Sequence, residues 1–161
     1  MSETARLADQ IRRAFDGDAW HGDSIKELLT SVTAETAAAR PIKNAHSIWE
    51  LVLHIAAWDD AVCRRIGGVA VQLAKEQDFP AVKDTSPAAW RQTLSHLEQT
   101  HSQLIKAVAA FPDSCLQDQV PGKTEDYYDF YYMFSGIVQH EIYHAGQIAL
   151  LKKALNPGTK T

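Results

Sequence analysis

The chain has 161 residues, of which 45% are hydrophobic and 22% charged, the balance of an ordinary globular protein long enough to bury one core. The net charge of −4 excludes a broadly basic nucleic-acid surface, and no apolar run approaches the ~20 residues that a membrane-spanning helix requires. We therefore expect a single domain over residues 1–161, with neither a nucleic acid nor a membrane as its partner. Because the N-terminal residues lack the apolar core of a signal peptide, we expect a cytoplasmic protein.

Helical patterns dominate the first part of the chain, and strand patterns are nearly absent throughout. A first helix is predicted over residues 3–15, and glycines then interrupt it. A second helical piece begins at Asp23 or Ser24, where Glu27 completes a capping box. The first principal helix is thus expected in two pieces.

Three longer helices are predicted after this point. Ser47 and Glu50 form a capping box at the start of the second principal helix, which a pair of glycines ends. Ser86 and Pro87 are a favoured N-cap and first-turn pair, so the third principal helix begins there. The last helix covers about residues 130–155. The long polar connection between the second and third helices would let those two run parallel.

The last predicted helix contains the segment His140-Glu-Ile-Tyr-His144, with two histidines four residues apart. On a helix this spacing puts both imidazoles on one face, within reach of one divalent metal. The same face carries the apolar stripe that should face the core. The alternative is a pair of core histidines that hydrogen-bond to the backbone or to each other. In either case they need partners, because an unpaired buried polar group is unfavourable.

The segment also has the His-Glu-x-x-His pattern of zinc proteases, in which a third metal ligand follows downstream. Here no Asp, Glu, His or Cys follows His144, so we expect the third ligand upstream. His54 stands out, because it lies at the edge of an apolar stripe, one turn after Glu50 and one turn before Trp58. The other upstream histidines are His21, His46, His96 and His101. Three protein ligands would leave an open position for water or substrate, as in catalytic metal sites.

Two segments resemble the signature segments of the DinB-like superfamily: Ser47-Ile-Trp-Glu-Leu-Val-Leu-His54-Ile-Ala-Ala-Trp58 and His140-Glu-Ile-Tyr-His144-Ala-Gly-Gln147-Ile. The resemblance covers about residues 20–155. It implies an all-α fold, an up-down-down-up four-helix bundle. It also implies a metal site formed by His54, His140 and His144, with zinc or nickel as the cofactor, and frequent homodimers.

Characterised relatives in that superfamily include transferases and isomerases that use low-molecular-weight thiols such as bacillithiol or mycothiol, and others are called metal-dependent hydrolases. The resemblance therefore implies a metal-dependent enzyme acting on a small molecule, by a thiol-dependent S-transferase-type reaction or by metal-assisted hydrolysis. The alternative is a non-catalytic metal- or ligand-binding stress-response protein. The two classes differ in one respect: an enzyme needs the open face of the metal to reach a solvent-connected cavity, with an acid or base nearby.

Two residues are candidates for acid–base catalysis. Glu141 would be the general base of a zinc protease, but it lies about 100° from His140 around the helix, so its alternative is an interhelical or surface role. His101 is central on an otherwise apolar stripe and is a candidate acid or base, an extra ligand or, as we favour, a histidine at a helix interface. Gln147 should point inward, where its amide could hydrogen-bond a ligand histidine.

The sequence also suggests a dimer and argues against a peptidase. Trp49, Leu53 and Ala57 are expected on a face away from the neighbours of His54, and with the resemblance this apolar excess predicts a homodimer.

A peptidase cleft usually has a strand edge that aligns the peptide backbone, and the sequence offers no strand. We therefore expect a small-molecule substrate.

Overall fold

The structure, a computed structural model, describes residues 1–156, and this part of the chain is helical without any strand. An isolated bridge between Gln119 and Asp129 is the one extended pairing within it. The predicted all-α fold class is confirmed. The α-helices are α1 (Glu3–Asp16), α2 (Ile25–Leu29), α3 (Ala34–Ala38), α4 (Ile48–Ile66), α5 (Lys75–Asp78), α6 (Pro87–Ala110) and α7 (Phe130–Leu155). Pro157 and Gly158, which with Asn156 predict the end of the last helix, lie outside the described residues.

Side-chain caps start the helices where the sequence predicted them. At α2, the Ser24 amide donates to the Glu27 carboxylate at 2.8 Å, while the Glu27 amide donates to Ser24 Oγ at 3.4 Å. The same reciprocal pair forms between Ser47 and Glu50 at α4, with distances of 2.8 and 3.2 Å. Each box satisfies amides that the first helical turn leaves without partners. These caps therefore fix the start of α4, the helix that carries His54.

The short helix α5 was missed in the sequence, which predicted only a polar connection there. Its four residues have no apolar stripe, and its N-terminal amide at Ala74 is satisfied by the Gln77 side chain at 3.0 Å. The helix packs against α4. Because isolated helices this short are unstable, tertiary contacts must hold it. Its position brings Asp78 next to His54.

The core forms where four long helices meet, with α1 and α4 each contacting both α6 and α7. Trp49 of α4 is only 2% exposed, and its ring lies 4.9 Å from that of Trp90 on α6. The prediction that Trp49 lies on an outer face is therefore wrong. It was assigned by its distance from His54 around the helix, but α4 buries more than one face because it has two long neighbours. None of the described helices is both long enough and apolar enough to cross a bilayer.

Candidate metal centre

Three histidine side chains from two helices converge at the α4–α7 interface. Nε2 of His140 lies 2.9 Å from Nε2 of His54 and 3.1 Å from Nε2 of His144. His54 and His144 are 5% and 6% exposed, and His140 is half-buried. The structure therefore brings together the three residues that the sequence singled out.

The rings of His54 and His144 are each oriented by a hydrogen bond at Nδ1, the nitrogen that faces away from the point of convergence. Nδ1 of His54 lies 2.7 Å from the backbone oxygen of Asp78, and Nδ1 of His144 lies 2.6 Å from Oε1 of Gln147. Both partners are acceptors, so each Nδ1 carries the proton and each Nε2 presents a lone pair. Gln147 thus makes the contact proposed for it. In ligand histidines, bonds of this kind hold the tautomer and the ring direction.

The convergence of the three Nε2 atoms fits a cation better than it fits a hydrogen-bond network. With Nδ1 protonated, neither His54 nor His144 has a hydrogen to place between the rings. Two ligands of a tetrahedral zinc with bonds of roughly 2.0–2.1 Å are ~3.3 Å apart, close to the observed separations. The donor set, three imidazole nitrogens, suits zinc or nickel.

Burial keeps all three histidines neutral, as metal ligands must be. Desolvation, together with the neighbouring histidines, lowers the pKa of His140 to about 3. Desolvation also lowers the pKa of His54 and of His144 below the usual histidine value, although their hydrogen bonds to Asp78 and Gln147 oppose the shift. Protons therefore compete poorly for the converging nitrogens near neutral pH.

The polar connection before α6 supplies two further residues of the centre that sequence reasoning missed. Oδ1 of Asp78 lies 3.1 Å from Nδ1 of His54 and also accepts a hydrogen bond of 2.8 Å from the Trp58 indole. The next residue, Phe79, stacks on the rings of both His54 and His46, with centroids 4.0 and 3.9 Å apart. No periodicity marks these residues, because α5 has only four residues and its tertiary contacts place both Asp78 and the following Phe79.

A second buried cluster joins Asp59 of α4, His101 of α6 and Glu141 of α7. Nδ1 of His101 lies 3.3 Å from Asp59 Oδ2 and 3.2 Å from Glu141 Oε1, and all three side chains are at most 2% exposed. The His101 ring also stacks on Phe15 of α1, with centroids 3.9 Å apart. The cluster therefore connects all four long helices. Both catalytic candidates, His101 and Glu141, lie here at helix interfaces, and Glu141 has no surface position.

The charge of this cluster follows from its burial. Burial lowers the pKa of His101, but the contacts with Asp59 and Glu141 outweigh that effect and raise it to about 9. Burial raises the pKa of both carboxyl groups above their ordinary values. Two ionised carboxylates beside one imidazolium would leave a net charge in the core. Protonation of one of the two carboxyl groups makes the cluster neutral, which a low-dielectric interior favours.

A cavity of about 170 Å³ opens beside His140. Its walls come from α4, α7 and the loop before α7, and its rim includes Tyr132, which is 49% exposed. The lining residues are Trp58, Val62, Arg65, Tyr128, Tyr132, Met133, Gly136, Ile137 and His140. The candidate centre thus borders a space that a small molecule could enter.

Comparison with protein families agrees with the resemblance seen in the two histidine segments. The family model described as the DinB superfamily matches residues 19–148, a stretch that includes all three converging histidines. Searches of curated proteins and of solved structures gave no match. The family match covers most of the chain, and the chain therefore belongs to the DinB superfamily.

Proposed function

We propose that His54, His140 and His144 bind one divalent metal, zinc or nickel, and that this centre serves an enzyme acting on a small molecule. The observation that carries the proposal is the convergence of three imidazole Nε2 atoms, of which those of His54 and His144 present lone pairs because their protons are on Nδ1. Membership of a metal-associated superfamily supports it.

Within this proposal the surrounding residues have defined tasks. The three imidazoles supply neutral nitrogen ligands, while Asp78 and Gln147 hold two of the rings in the ligand tautomer. A divalent metal held by His54, His140 and His144 would lower the pKa of a bound water or thiol and so would supply a nucleophile near neutral pH.

The cavity lining supports transfer to a thiol over hydrolysis. Hydrolysis of an amide or ester benefits from an acid for the leaving group and a base for water, yet no carboxylate is among the described residues that line the cavity. In thiol transfer, a carbon–sulfur bond forms as the bond from that carbon to the leaving group breaks, and the thiol proton passes to solvent. Burial raises the pKa of the Cys63 thiol to about 11, so we assign the nucleophile to an external low-molecular-weight thiol.

The same lining also favours the second candidate, a non-catalytic metal- or ligand-binding protein. Neither His101 nor Glu141 lines the cavity, so neither is placed to exchange protons with a molecule there. A screen of zinc- and nickel-loaded protein with low-molecular-weight thiols and electrophilic partners separates the two functions. We expect thiol-dependent turnover that is lost in metal-free protein and in His140→Ala. Metal binding without turnover for any pair would favour the binding protein.

We also propose that α1, α4, α6 and α7 follow the up-down-down-up order. Trp49 and, further along α4, Asp59 contact Trp90 and His101 in the same order along α6, which supports a parallel pair.

In two other helix pairs, residues that come later in one helix contact residues that come earlier in the other. Thr4 and Phe15 of α1 contact Asp113, just after α6, and His101 within it. Along α4 and α7, His54 meets His140, whereas the later Val62 shares a cavity wall with the earlier Met133. These contacts support antiparallel α1–α6 and α4–α7 pairs, the remaining requirement of that order.

A homodimer remains our proposal for the assembly, now on a different face. Ile142, Tyr143 and Leu150 of α7 are 37%, 65% and 59% exposed, which is unusual for large apolar side chains on one helix. Covering them with a second copy would remove this surface from water. Light scattering over a range of concentrations should show twice the chain mass, and a monomer at high micromolar concentration would contradict the proposal.

A further inference from the structure

Arg65 carries an unmatched charge in the wall of the cavity beside His140. Its side chain is at the end of α4 and is only 2% exposed. The guanidinium donates to the backbone oxygen of Val71 at 2.8 and 3.3 Å and to the Tyr128 hydroxyl at 3.5 Å, and it lies 5.5 Å from the centre of the Trp58 ring. Within residues 1–156, no carboxylate forms an ion pair with it. A buried cation with only neutral partners is unfavourable unless an anion joins it.

The rest of the lining is mostly apolar. Trp58, Val62, Met133 and Ile137 surround the space, and Val62, Met133 and Ile137 are almost fully buried. At about 170 Å³ the cavity is comparable with apolar cavities of roughly 150 Å³ that bind benzene. The space therefore suits a ring-sized apolar body with one anionic group.

We infer that this cavity binds a small organic carboxylate, whose carboxylate pairs with Arg65 while its apolar body packs between α4 and α7 towards His140. The planar guanidinium has N–H groups beyond those used by Val71 and Tyr128, and its geometry matches a carboxylate. This inference rests on the proposed function only in taking the bound molecule as the substrate of the metal centre, because His140 belongs to both. It assigns the charge and size of that substrate.

Calorimetric titration with benzoate and with its neutral analogue benzamide tests the inference. Both zinc-loaded and chelator-treated protein should be used, because zinc can itself bind a carboxylate and the chelator-treated form removes that contribution. We expect benzoate to bind both forms at least about tenfold more tightly than benzamide. This is the gain in affinity that one charge-assisted hydrogen bond typically gives. Arg65→Gln should remove this preference and leave benzamide binding unchanged. The matched control is Arg64→Gln, since the Arg64 side chain is half exposed on the same turn.

A second variant tests the cavity without touching Arg65. A Cβ atom at Gly136 would meet no neighbouring side chain within 4 Å, so Gly136→Leu should fold and fill the cavity from α7. Gly136→Leu should lower the affinity for benzoate by at least about tenfold, because the leucine side chain would occupy the volume that benzoate needs. Gly146→Leu is the control, because Gly146 lies in the same helix, outside this cavity, with equally open surroundings.

Three results would overturn the inference: equal binding of benzoate and benzamide, unchanged benzoate binding in Gly136→Leu, or benzoate binding that requires zinc and survives Arg65→Gln. If Arg65→Gln does not fold, the inference is tested by benzoate binding to Gly136→Leu and by the preference of the wild type for benzoate over benzamide. Metal content, measured on the same wild-type samples, tests the proposed function separately. Arg65-dependent benzoate binding by a protein that takes up no metal would contradict the metal centre and leave this carboxylate site standing.

Discussion

His54 and His140 face each other across the α4–α7 interface with their Nε2 atoms 2.9 Å apart, although 86 positions separate them in the chain. The proton of His54 is on the other nitrogen, where Asp78 accepts it. Two nitrogen lone pairs at this distance repel each other unless a proton or a metal lies between them. The folded chain therefore creates a site whose occupancy should control both its stability and its chemistry.

The pH dependence of stability in metal-free protein should show that burial keeps the three converging histidines neutral. Because burial lowers the folded-state pKa of His54, His140 and His144 below the unfolded value of 6.5, the folded state binds fewer protons than the unfolded state in acid. The free energy of unfolding should therefore fall as the pH drops below about 6.5, and continue to fall towards about 3, where His140 titrates. Urea unfolding of chelator-treated protein at several pH values measures it.

The cluster of Asp59, His101 and Glu141 has raised pKa values and contributes with the opposite sign, so a variant must isolate the effect. His140→Leu removes one of the lowered groups and leaves that cluster intact. Its stability should decline less than that of the wild type between about pH 7 and 5. Identical declines in the two proteins would show that the histidines are not held neutral.

Gln147→Leu should weaken metal binding without removing a ligand. The amide oxygen accepts the Nδ1 proton of His144 at 2.6 Å, and losing such a partner typically lowers metal affinity by about 10- to 100-fold. Competition with a chromogenic zinc chelator gives the affinity. Gln139→Leu is the control, because Gln139 is exposed on the same helix. Equal zinc affinity in the two variants would remove Gln147 from the centre.

His101→Leu should destabilise the fold strongly, because it leaves Asp59 and Glu141 buried together without their cation. Loss of one partner from a buried charged group costs about 3–5 kcal/mol. His96→Leu on the exposed side of α6 should have little effect. Denaturant unfolding compares the two. A loss below about 1 kcal/mol for His101→Leu would mean that the cluster does not hold the helices together.

Glu141→Gln distinguishes a structural glutamate from a protease base. Glu141 is fully buried beside His101, so the variant should lower the melting temperature while metal content stays near the wild-type level. We expect no zinc-dependent cleavage of casein or of peptide libraries by the wild type. Cleavage that Glu141→Gln abolishes without loss of stability would instead identify a zinc protease.

The sequence predicted the helices well where local chemistry defines their ends. The capping residues Ser24, Ser47 and Ser86 all lie at observed helix starts, and α7 has the predicted bounds. The spacing of His140 and His144 depends only on helical geometry. The position of both imidazoles on one face of α7 was therefore also predictable. By contrast, the formation of α5 depends on its packing against α4, and no local sequence pattern predicts that contact.

The sequence left Glu141 between an interhelical and a surface role for a different reason. We placed the core on one stripe of α7, but this helix contacts α1, α2 and α4 and buries a wider surface. A signal was present, because Glu141 follows the buried Ile137 by four residues and precedes Ala145 by four. Asp59 similarly follows Ile55 by four residues. An acid at such a position, with His101 central on a third helix, could have suggested a buried cluster.

The metal content of purified protein tests the central claim most directly. Wild type and His96→Ala, reconstituted with zinc or nickel and freed of excess metal, should each retain about one metal per chain. His54→Ala and His140→Ala should retain far less while circular dichroism shows their helices intact. Stoichiometric metal in both of these variants, or a wild type that retains neither zinc nor nickel, would contradict the proposed three-histidine centre.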